Sequence, residues 1–130
     1  MAATIPAATA VLELPPFFRV LRGGPIPRGA AYASGAFAIR EADLADPSEA
    51  AALVGLIDGY ARGPGGQSAP LSEAARARMA PGLRALPTAF VLFAFAGERA
   101  VGVAVCVWGF STFAGRPSVN VHDLAVDPAF

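Results

Sequence analysis

Two apolar runs near the centre of the chain constrain its fold most strongly. Residues 89–96 (AFVLFAFA) and residues 100–110 (AVGVAVCVWGF) are separated only by residues 97–99 (GER). Each run is shorter than the ~20 apolar residues that a membrane-spanning helix needs, and both are rich in β-branched and aromatic residues. They predict a hairpin of two strands buried on both faces, with Cys106 as an inert core thiol.

Composition and charge narrow the classes of protein to which the chain can belong. Its 130 residues suit one domain, and a hydrophobic content of 55% supplies a core. The ten basic residues, all arginine, balance ten acidic ones and are scattered, so no basic stripe marks a nucleic-acid surface. The single cysteine suits a reducing cytoplasm, and the metal-binding residue types lack ligand spacing. We therefore expect a cytoplasmic protein with no metal, no nucleic-acid partner and no membrane partner.

The first 36 residues differ from the rest of the chain. They mix Ala, Pro and Gly with no sustained period, and prolines interrupt any helix or central strand. The prolines and Glu13 argue against a secretory signal, and an organelle transit peptide is the weaker alternative to a flexible leader. The sequence therefore predicts a leader over residues 1–36 and one domain over residues 37–130.

Cap and turn signals divide the remaining chain into six elements. Residues 46–49 (DPSE) form a capping box with proline in the first helical turn, and that helix ends near Tyr60. Ser72 caps a second helix, whose length is limited by Pro81. The predicted order is β-α-α-β-β-β, an α/β (α+β) fold with a mainly antiparallel sheet. The elements are residues 37–40, 47–60, 73–83, 89–96, 100–110 and 118–126.

Residues 63–70 (GPGGQSAP) form a glycine-rich loop between the two helices. Glycine-rich loops can cradle phosphate, but a P-loop follows a strand and carries a Lys-Ser/Thr pair, and this loop does neither. We therefore predict a mobile connection at these residues.

The candidate chemistry lies in residues 110–130, which read FSTFAGRPSVNVHDLAVDPAF. With the order of elements, this stretch resembles the N-terminal half of the GNAT superfamily of acyl-CoA-dependent N-acyltransferases. The local likeness is to diamine acetyltransferases of the spermidine/spermine type. Those enzymes carry an aromatic-Ser-Thr-aromatic-x-Gly loop, then a strand with an acidic pair that ends in Val-x-Pro-x-aromatic.

The resemblance implies transfer of an acetyl group from acetyl-CoA to a primary amine of a small molecule. It places proton removal at His122, with Asp123 holding the ammonium group or orienting the imidazole. It places contacts to the thioester and pantetheine at the backbones of Leu124, Ala125 and Val126. The expected acceptor pocket comprises Trp108, Phe110, Ser111, Thr112 and Phe113.

These residues also have structural interpretations. A single histidine on a strand is typically a hydrogen-bonded structural residue, and Asp123 can cap a bulge or pair with an arginine. Trp108 and the phenylalanines suit a core, while Ser111 and Thr112 suit turns. Two other classes of function stay open: a non-catalytic binding module derived from an acyltransferase, and a small α+β barrel in which His122 and Asp123 are metal ligands.

The sequence departs from the family pattern at two points. His122 stands where diamine acetyltransferases usually have glutamate, which weakens any inference of polyamine preference. The family's Arg/Gln-x-x-Gly-x-Gly/Ala segment, which holds the cofactor pyrophosphate at a helix N-terminus, would begin directly after Phe130. We therefore expect a partial domain with little turnover alone. We also expect the edge of strand 118–126 to pair with a second copy or with a further C-terminal segment.

Overall fold

Five antiparallel strands and two helices make up the described part of the chain. The computed structural model describes residues 32–34 and 36–130. The strands lie in the order β1-β2-β3-β4-β5, so sequence neighbours are also sheet neighbours. From β2 onward, this is the predicted β-α-α-β-β-β fold. The elements are β1 Tyr32–Ser34, β2 Phe37–Glu41, α1 Pro47–Arg62, α2 Glu73–Ala85, β3 Ala89–Ala96, β4 Arg99–Ser111 and β5 Arg116–Val126.

Strand β1 lies inside the range that the sequence assigns to a leader. Tyr32 pairs with Ile39 of β2, so the described sheet begins before residue 37. The rest of the predicted leader, residues 1–31 and residue 35, lies outside the described residues.

The predicted hairpin of β3 and β4 forms the centre of the sheet. Gly97 adopts a φ of 59°, a left-handed conformation that glycine reaches without strain, and this allows a turn of only two residues. Val91 then lies opposite Val105, and Phe93 opposite Val103. These cross-strand pairs place large apolar side chains on one face.

Helix α1 begins as predicted, but its capping box does not form. The Asp46 carboxylate accepts from the Ser48 backbone N–H at 2.8 Å, and proline occupies the first turn. Glu49 accepts instead from the Asp43 backbone N–H at 2.7 Å and from Arg40. The reason is that β2 brings a guanidinium to Glu49, and a charged partner competes better than one further backbone amide.

Helix α2 is capped as predicted but runs past its proline. The Ser72 hydroxyl accepts from the Ala75 backbone N–H at 3.1 Å. Pro81 removes a helical hydrogen bond, yet the helix continues to Ala85. Ala77, whose carbonyl loses its helical donor, lies on the exposed side of α2, where water can replace that donor. Neither described helix is long and apolar enough to cross a membrane.

Both helices cover the same face of the sheet. Leu53 and Ile57 of α1 and Ala80 of α2 are buried against it. The opposite face, called here the open face, is not covered by either helix, so β3 is not enclosed on both faces by described elements as predicted. The buried cluster comprises Leu53, Ile57, Ala80, Val91, Phe93, Phe95, Val103, Val105 and Ala125. By strand alternation, the open face carries Phe37, Ile39, Phe90, Leu92, Ala94, Gly102, Ala104, Cys106, Trp108, Val121, Leu124 and Val126.

A salt bridge ties β2 to α1 at the border of the core. The Arg40 guanidinium donates to both carboxylate oxygens of Glu49, at 3.1 and 2.7 Å, and lies 4.2 Å from the centre of the Phe95 ring. Its hydrogen bonds lower the pKa of the Glu49 carboxyl below the ordinary value, against the opposing effect of burial. Because both side chains are largely buried, the pair fixes the position of α1 on the sheet.

Candidate functional site

A bulge in β5 contains the two residues that the sequence singles out for catalysis. Val105 of β4 lies opposite Asp123, while the next residue, Cys106, lies opposite Val121. His122 is thus an extra residue, and His122 and Asp123 together oppose Val105. Bulges bend a strand and redirect its side chains, which is why they are frequent beside active sites.

Both side chains at the bulge lack a polar partner among the described residues. Asp123 is half-buried on the helix-covered face, next to the buried Ala125, while His122 is exposed. Neither side chain makes a hydrogen bond or an ion pair with any described residue. The interpretations of His122 as a hydrogen-bonded structural residue, and of Asp123 as the partner of an arginine, find no such contact within residues 36–130.

Among the described residues, the outer edge of β5 has no strand partner, and two positions beyond the bulge point their backbone groups toward this edge. The Asp127 N–H donates to the Val101 carbonyl at 2.7 Å, so Asp127 points its backbone groups toward β4. Strand alternation then directs those of Ala125 toward β4, and those of Leu124 and Val126 toward the free edge. Of the three residues expected to contact the cofactor through their backbones, Leu124 and Val126 thus point their backbone groups outward, whereas Ala125 points toward β4.

A groove of about 340 Å³ runs between α1 and the end of β5. Its helix wall includes Gly55 and Gly59, where an added Cβ would meet no atom within 4 Å, so the groove reaches the helix backbone. Tyr60 closes one end, and its hydroxyl donates to the Gly65 carbonyl at 2.8 Å. Asp127 lines the other side, but its carboxylate is already bound to Arg99. The groove is therefore lined mainly by glycine and apolar residues, and the one carboxylate in its lining is paired.

The glycine-rich loop is tied to α1 and does not hang free, contrary to the prediction of a mobile connection. The Gln67 and Ala69 backbone N–H groups both donate to the Ala61 carbonyl, at 3.0 and 3.4 Å. Asp58 accepts from the Leu71 backbone N–H at 2.8 Å and from Arg62, and these hydrogen bonds lower its pKa. The loop is consequently hydrogen-bonded to α1 beside the groove.

The expected acceptor pocket is not assembled in one place. Trp108 packs against Phe90 with ring centres 5.7 Å apart, and Phe110 and Phe113 are exposed at the far end of the β4–β5 hairpin. The hydroxyl of Ser111 accepts from the Ala114 backbone N–H at 3.2 Å, as a turn former does. Thr112 is exposed beside it.

The hairpin end and the groove lie at opposite ends of β5. At about 3.3 Å per residue, Arg116 and Val126 are roughly 30 Å apart along the strand. The bulge lies between them and nearer the groove. The structure thus brings His122, Asp123, Leu124 and Val126 into one region and leaves the aromatic loop apart from it.

Sequence reasoning missed the helix side of the groove. Gly55, Gly59 and Gly63 recur every fourth residue and so share one side of α1. That spacing was the available signal, but glycines near a helix end are also typical of a helix C-terminus. No pattern in the sequence marked Tyr60 as a residue of the groove.

Away from the bulge and the groove, the described residues contain a smaller cavity and a buried cysteine. A smaller cavity, about 160 Å³, lies between the β2–α1 connection and the end of α2, and burial raises the pKa of Glu41 at its margin. Residues 36–130 contain no group of three or more His, Cys, Asp or Glu side chains placed to hold a metal ion. Cys106 is buried, and burial raises the pKa of its thiol, which keeps it in the unreactive form.

Comparison with known proteins identifies the fold. Neither a family model nor a curated protein matches the sequence. Among solved structures, the chain is similar to one described as a possible acetyltransferase from Clostridium difficile 630, with a TM-score of 0.61 and 11% identity over 74% of this chain and 60% of that one. It is also similar to the aminoglycoside acetyltransferase meta-AAC0020 from an uncultured soil metagenomic sample, with a TM-score of 0.51 and 20% identity over 72% of this chain and 58% of that one. The chain thus has an acetyltransferase-like α+β fold and spans about three fifths of the length of these two proteins.

Proposed function

We propose that this chain provides the transfer region of an N-acetyltransferase that moves an acetyl group from acetyl-CoA to a primary amine of a small molecule. The observation that carries the proposal is the bulge in β5. It holds two polar side chains without described partners, His122 and Asp123, directly before a strand edge where the backbone groups of Leu124 and Val126 have no described strand partner.

The free edge fits the pantetheine arm of acetyl-CoA. That arm is an uncharged chain with two amides, and its amides can exchange hydrogen bonds with the outward backbone groups of Leu124 and Val126. The adjoining groove lies against the exposed backbone of Gly55 and Gly59. When bound, acetyl-CoA would supply the activated acetyl thioester. The family's pyrophosphate loop has no counterpart in the described residues, so the fit is confined to this arm.

The two side chains at the bulge have complementary roles in the proposed reaction. Asp123 holds the incoming ammonium group, and the imidazole of His122 accepts its proton. The freed amine nitrogen then forms a bond to the thioester carbon, the carbon–sulfur bond breaks, and the sulfur leaves as a thiolate. The thiolate takes up the second proton that the nitrogen loses as the amide forms. Because Asp123 is half-buried and His122 is exposed, the amine enters from the solvent side of β5.

The comparisons support this proposal at the level of fold. One similar structure is an aminoglycoside acetyltransferase, an enzyme class in which an acetyl group is transferred. The sequence likeness to diamine acetyltransferases favours a small amine as acceptor. We do not extend it to polyamines, because His122 replaces the glutamate that is usual in those enzymes.

Titration of the isotope-labelled 130-residue chain with acetyl-CoA tests the cofactor contact. We expect the NMR signals of the Leu124 and Val126 amides to shift. The variant Val126→Pro, which removes an outward N–H, should abolish the shift of the Leu124 amide. The matched control is Val119→Pro, which removes an outward N–H on the same edge before the bulge and should leave binding unchanged. Equal effects of the two prolines, or shifts confined to other residues, would contradict the proposed cofactor edge.

Transfer itself is tested by mass spectrometry of a panel of primary amines incubated with the chain and acetyl-CoA. We expect acetylated product above the uncatalysed background, but at rates well below the ~1–10³ s⁻¹ typical of enzymes. Asp123→Asn should mainly raise KM for the amine, whereas His122→Ala should mainly lower kcat. Binding of acetyl-CoA with no product from any amine would instead assign the chain to the non-catalytic class.

A further inference from the structure

The turn that directly follows β5 is held together at one residue, Asp127. Its backbone N–H donates to the Val101 carbonyl at 2.7 Å, and its carbonyl accepts from the Phe130 N–H at 2.9 Å. One carboxylate oxygen accepts from the Ala129 N–H at 2.9 Å, and the other accepts from the Arg99 guanidinium. Each polar atom of Asp127 thus has a partner, and the conformation of the turn depends on this residue.

Arg99 contacts both ends of this turn. It is the first residue of β4 and lies opposite Ala96 in the central hairpin. Its guanidinium binds the Asp127 carboxylate and lies 5.4 Å from the centre of the Phe130 ring. That ring packs edge to face on Phe37 of β2, with ring centres 6.4 Å apart. Arg99 therefore connects the end of β5 to the strands beside it.

The ion pair fixes a direction more than it stabilises the fold. The Arg99 side chain is 64% exposed, and exposed ion pairs contribute little to the free energy of unfolding. The chain leaves β5 at Val126 and at once forms one wall of the groove with Asp127 and Pro128. A change in the turn would therefore move this wall and the outward backbone groups of Val126.

Arg99 also sets the charge of the groove. Among the described residues, Asp127 supplies the only carboxylate in the groove lining, and Arg99 neutralises it. Acetyl-CoA carries several negative phosphate charges, so an unpaired carboxylate at this wall would repel it. Arg99 can thus act on the groove through position and through charge, and the two effects need separate variants.

We infer that Arg99 is a positioning residue of the proposed cofactor edge, which consists of the outward backbone groups of Leu124 and Val126. Through Asp127, it fixes the turn after β5 and so holds the end of that edge and the groove wall in place. The identity of the ligand rests on the proposed function. The effect on the turn rests only on contacts within the chain.

Hydrogen exchange of the ligand-free chain, measured by NMR, tests the effect on the turn. Arg99→Gln should speed exchange of the Asp127 and Ala129 amides by roughly tenfold, because both hydrogen bonds depend on the position of Asp127. Arg99→Lys keeps the charge and should retain most of the protection. Arg84→Gln is the matched control, since Arg84 is an exposed arginine at the end of α2 and should not affect these amides.

NMR titration of the same variants with acetyl-CoA tests the effect on the edge. Arg99→Gln should raise the Kd by roughly tenfold, whereas Arg99→Lys should recover most of the affinity and Arg84→Gln should bind as the wild type does. The double variant Arg99→Gln/Asp127→Asn removes the uncovered charge but does not restore the bridge. Its Kd should therefore stay as high as that of Arg99→Gln.

Three results would overturn the inference, and they differ in what they say of the proposed function. Unchanged exchange in Arg99→Gln, with normal binding of acetyl-CoA, would remove the positioning role and leave the proposed function intact. Wild-type affinity in the double variant would assign the effect of Arg99 to charge alone. Faster exchange in Arg99→Gln, without binding of acetyl-CoA by the wild type, would contradict the proposed function and with it any role of Arg99 toward a cofactor.

Discussion

At the scale of single residues, we expect the ion pair between Arg40 and Glu49 to contribute strongly to the stability of the fold. Glu49→Gln leaves the guanidinium of Arg40 largely buried without its counter-charge, and weakens the acceptor for the Asp43 N–H. We expect the free energy of unfolding at neutral pH to fall by about 2–3 kcal/mol. Urea denaturation measures this free energy of unfolding. Glu98→Gln, the same substitution at an exposed turn, should change it by less than about 0.5 kcal/mol.

Two glutamates are expected to give opposite pH dependences of stability. The pKa of Glu49 is lowered, chiefly by its hydrogen bonds from Arg40. Its contribution is complete above the ordinary glutamate pKa of about 4.3 and is lost as pH falls through the lowered value. The pKa of Glu41 is raised by burial, so its charged form costs stability as pH rises from about 4.3 through the raised value.

Urea denaturation from pH 3 to pH 7 separates these contributions. Glu49→Gln should reduce the loss of stability at the acidic end of this range. Glu41→Gln should raise stability at pH 7 and leave it nearly unchanged at pH 3. If both variants gave the pH profile of the wild type, neither carboxyl would titrate differently in the folded and unfolded chain.

At the scale of elements, the α1–α2 loop depends on one close backbone approach. A Cβ at Gly66 would lie 2.5 Å from the Tyr60 carbonyl oxygen and 2.7 Å from the Ala61 Cα. Gly66→Ala should therefore lower the free energy of unfolding by roughly 1–3 kcal/mol. It should also speed proteolysis of the loop. Gly82→Ala is the control within helix α2: an added Cβ meets nothing there, and the change should raise stability by about 0.5–1 kcal/mol. If both substitutions changed the free energy of unfolding equally, the loop would have moved to make room for the added Cβ at residue 66.

The same elements show how far the sequence alone could lead. The caps at Asp46 and Ser72, and the turn at Gly97, depend on residues close in the chain, and these features were predictable. The partner of Glu49 was not, because β2 supplies it from outside the helix. The groove was not predictable either. It forms only when α1 packs beside the end of β5, and local periodicity carries no information about that packing.

At the scale of the whole molecule, thermal stability should depend on the concentration of acetyl-CoA. A ligand that binds the folded chain and not the unfolded one stabilises the fold by about 2.7 kcal/mol at one hundred times its Kd. We expect the midpoint measured by calorimetry to rise with acetyl-CoA concentration for the wild type and for Val119→Pro. The midpoint of Val126→Pro should be nearly constant. A constant midpoint for all three would contradict the proposed cofactor edge.

The extra residue in β5 determines which sequence positions carry the apolar residues of one face of the strand. Val119 and Val121 stand at odd positions, Leu124 and Val126 at even ones, so a regular strand would send the two pairs to opposite faces. The bulge shifts the alternation by one and lines up all four on a single face. Deleting residue 122 would therefore do more than shorten the strand. It would turn half of β5 over, so that polar residues would take the place of apolar ones on the open face and apolar ones would turn toward the helices, and the length of this strand is therefore as tightly specified as its composition.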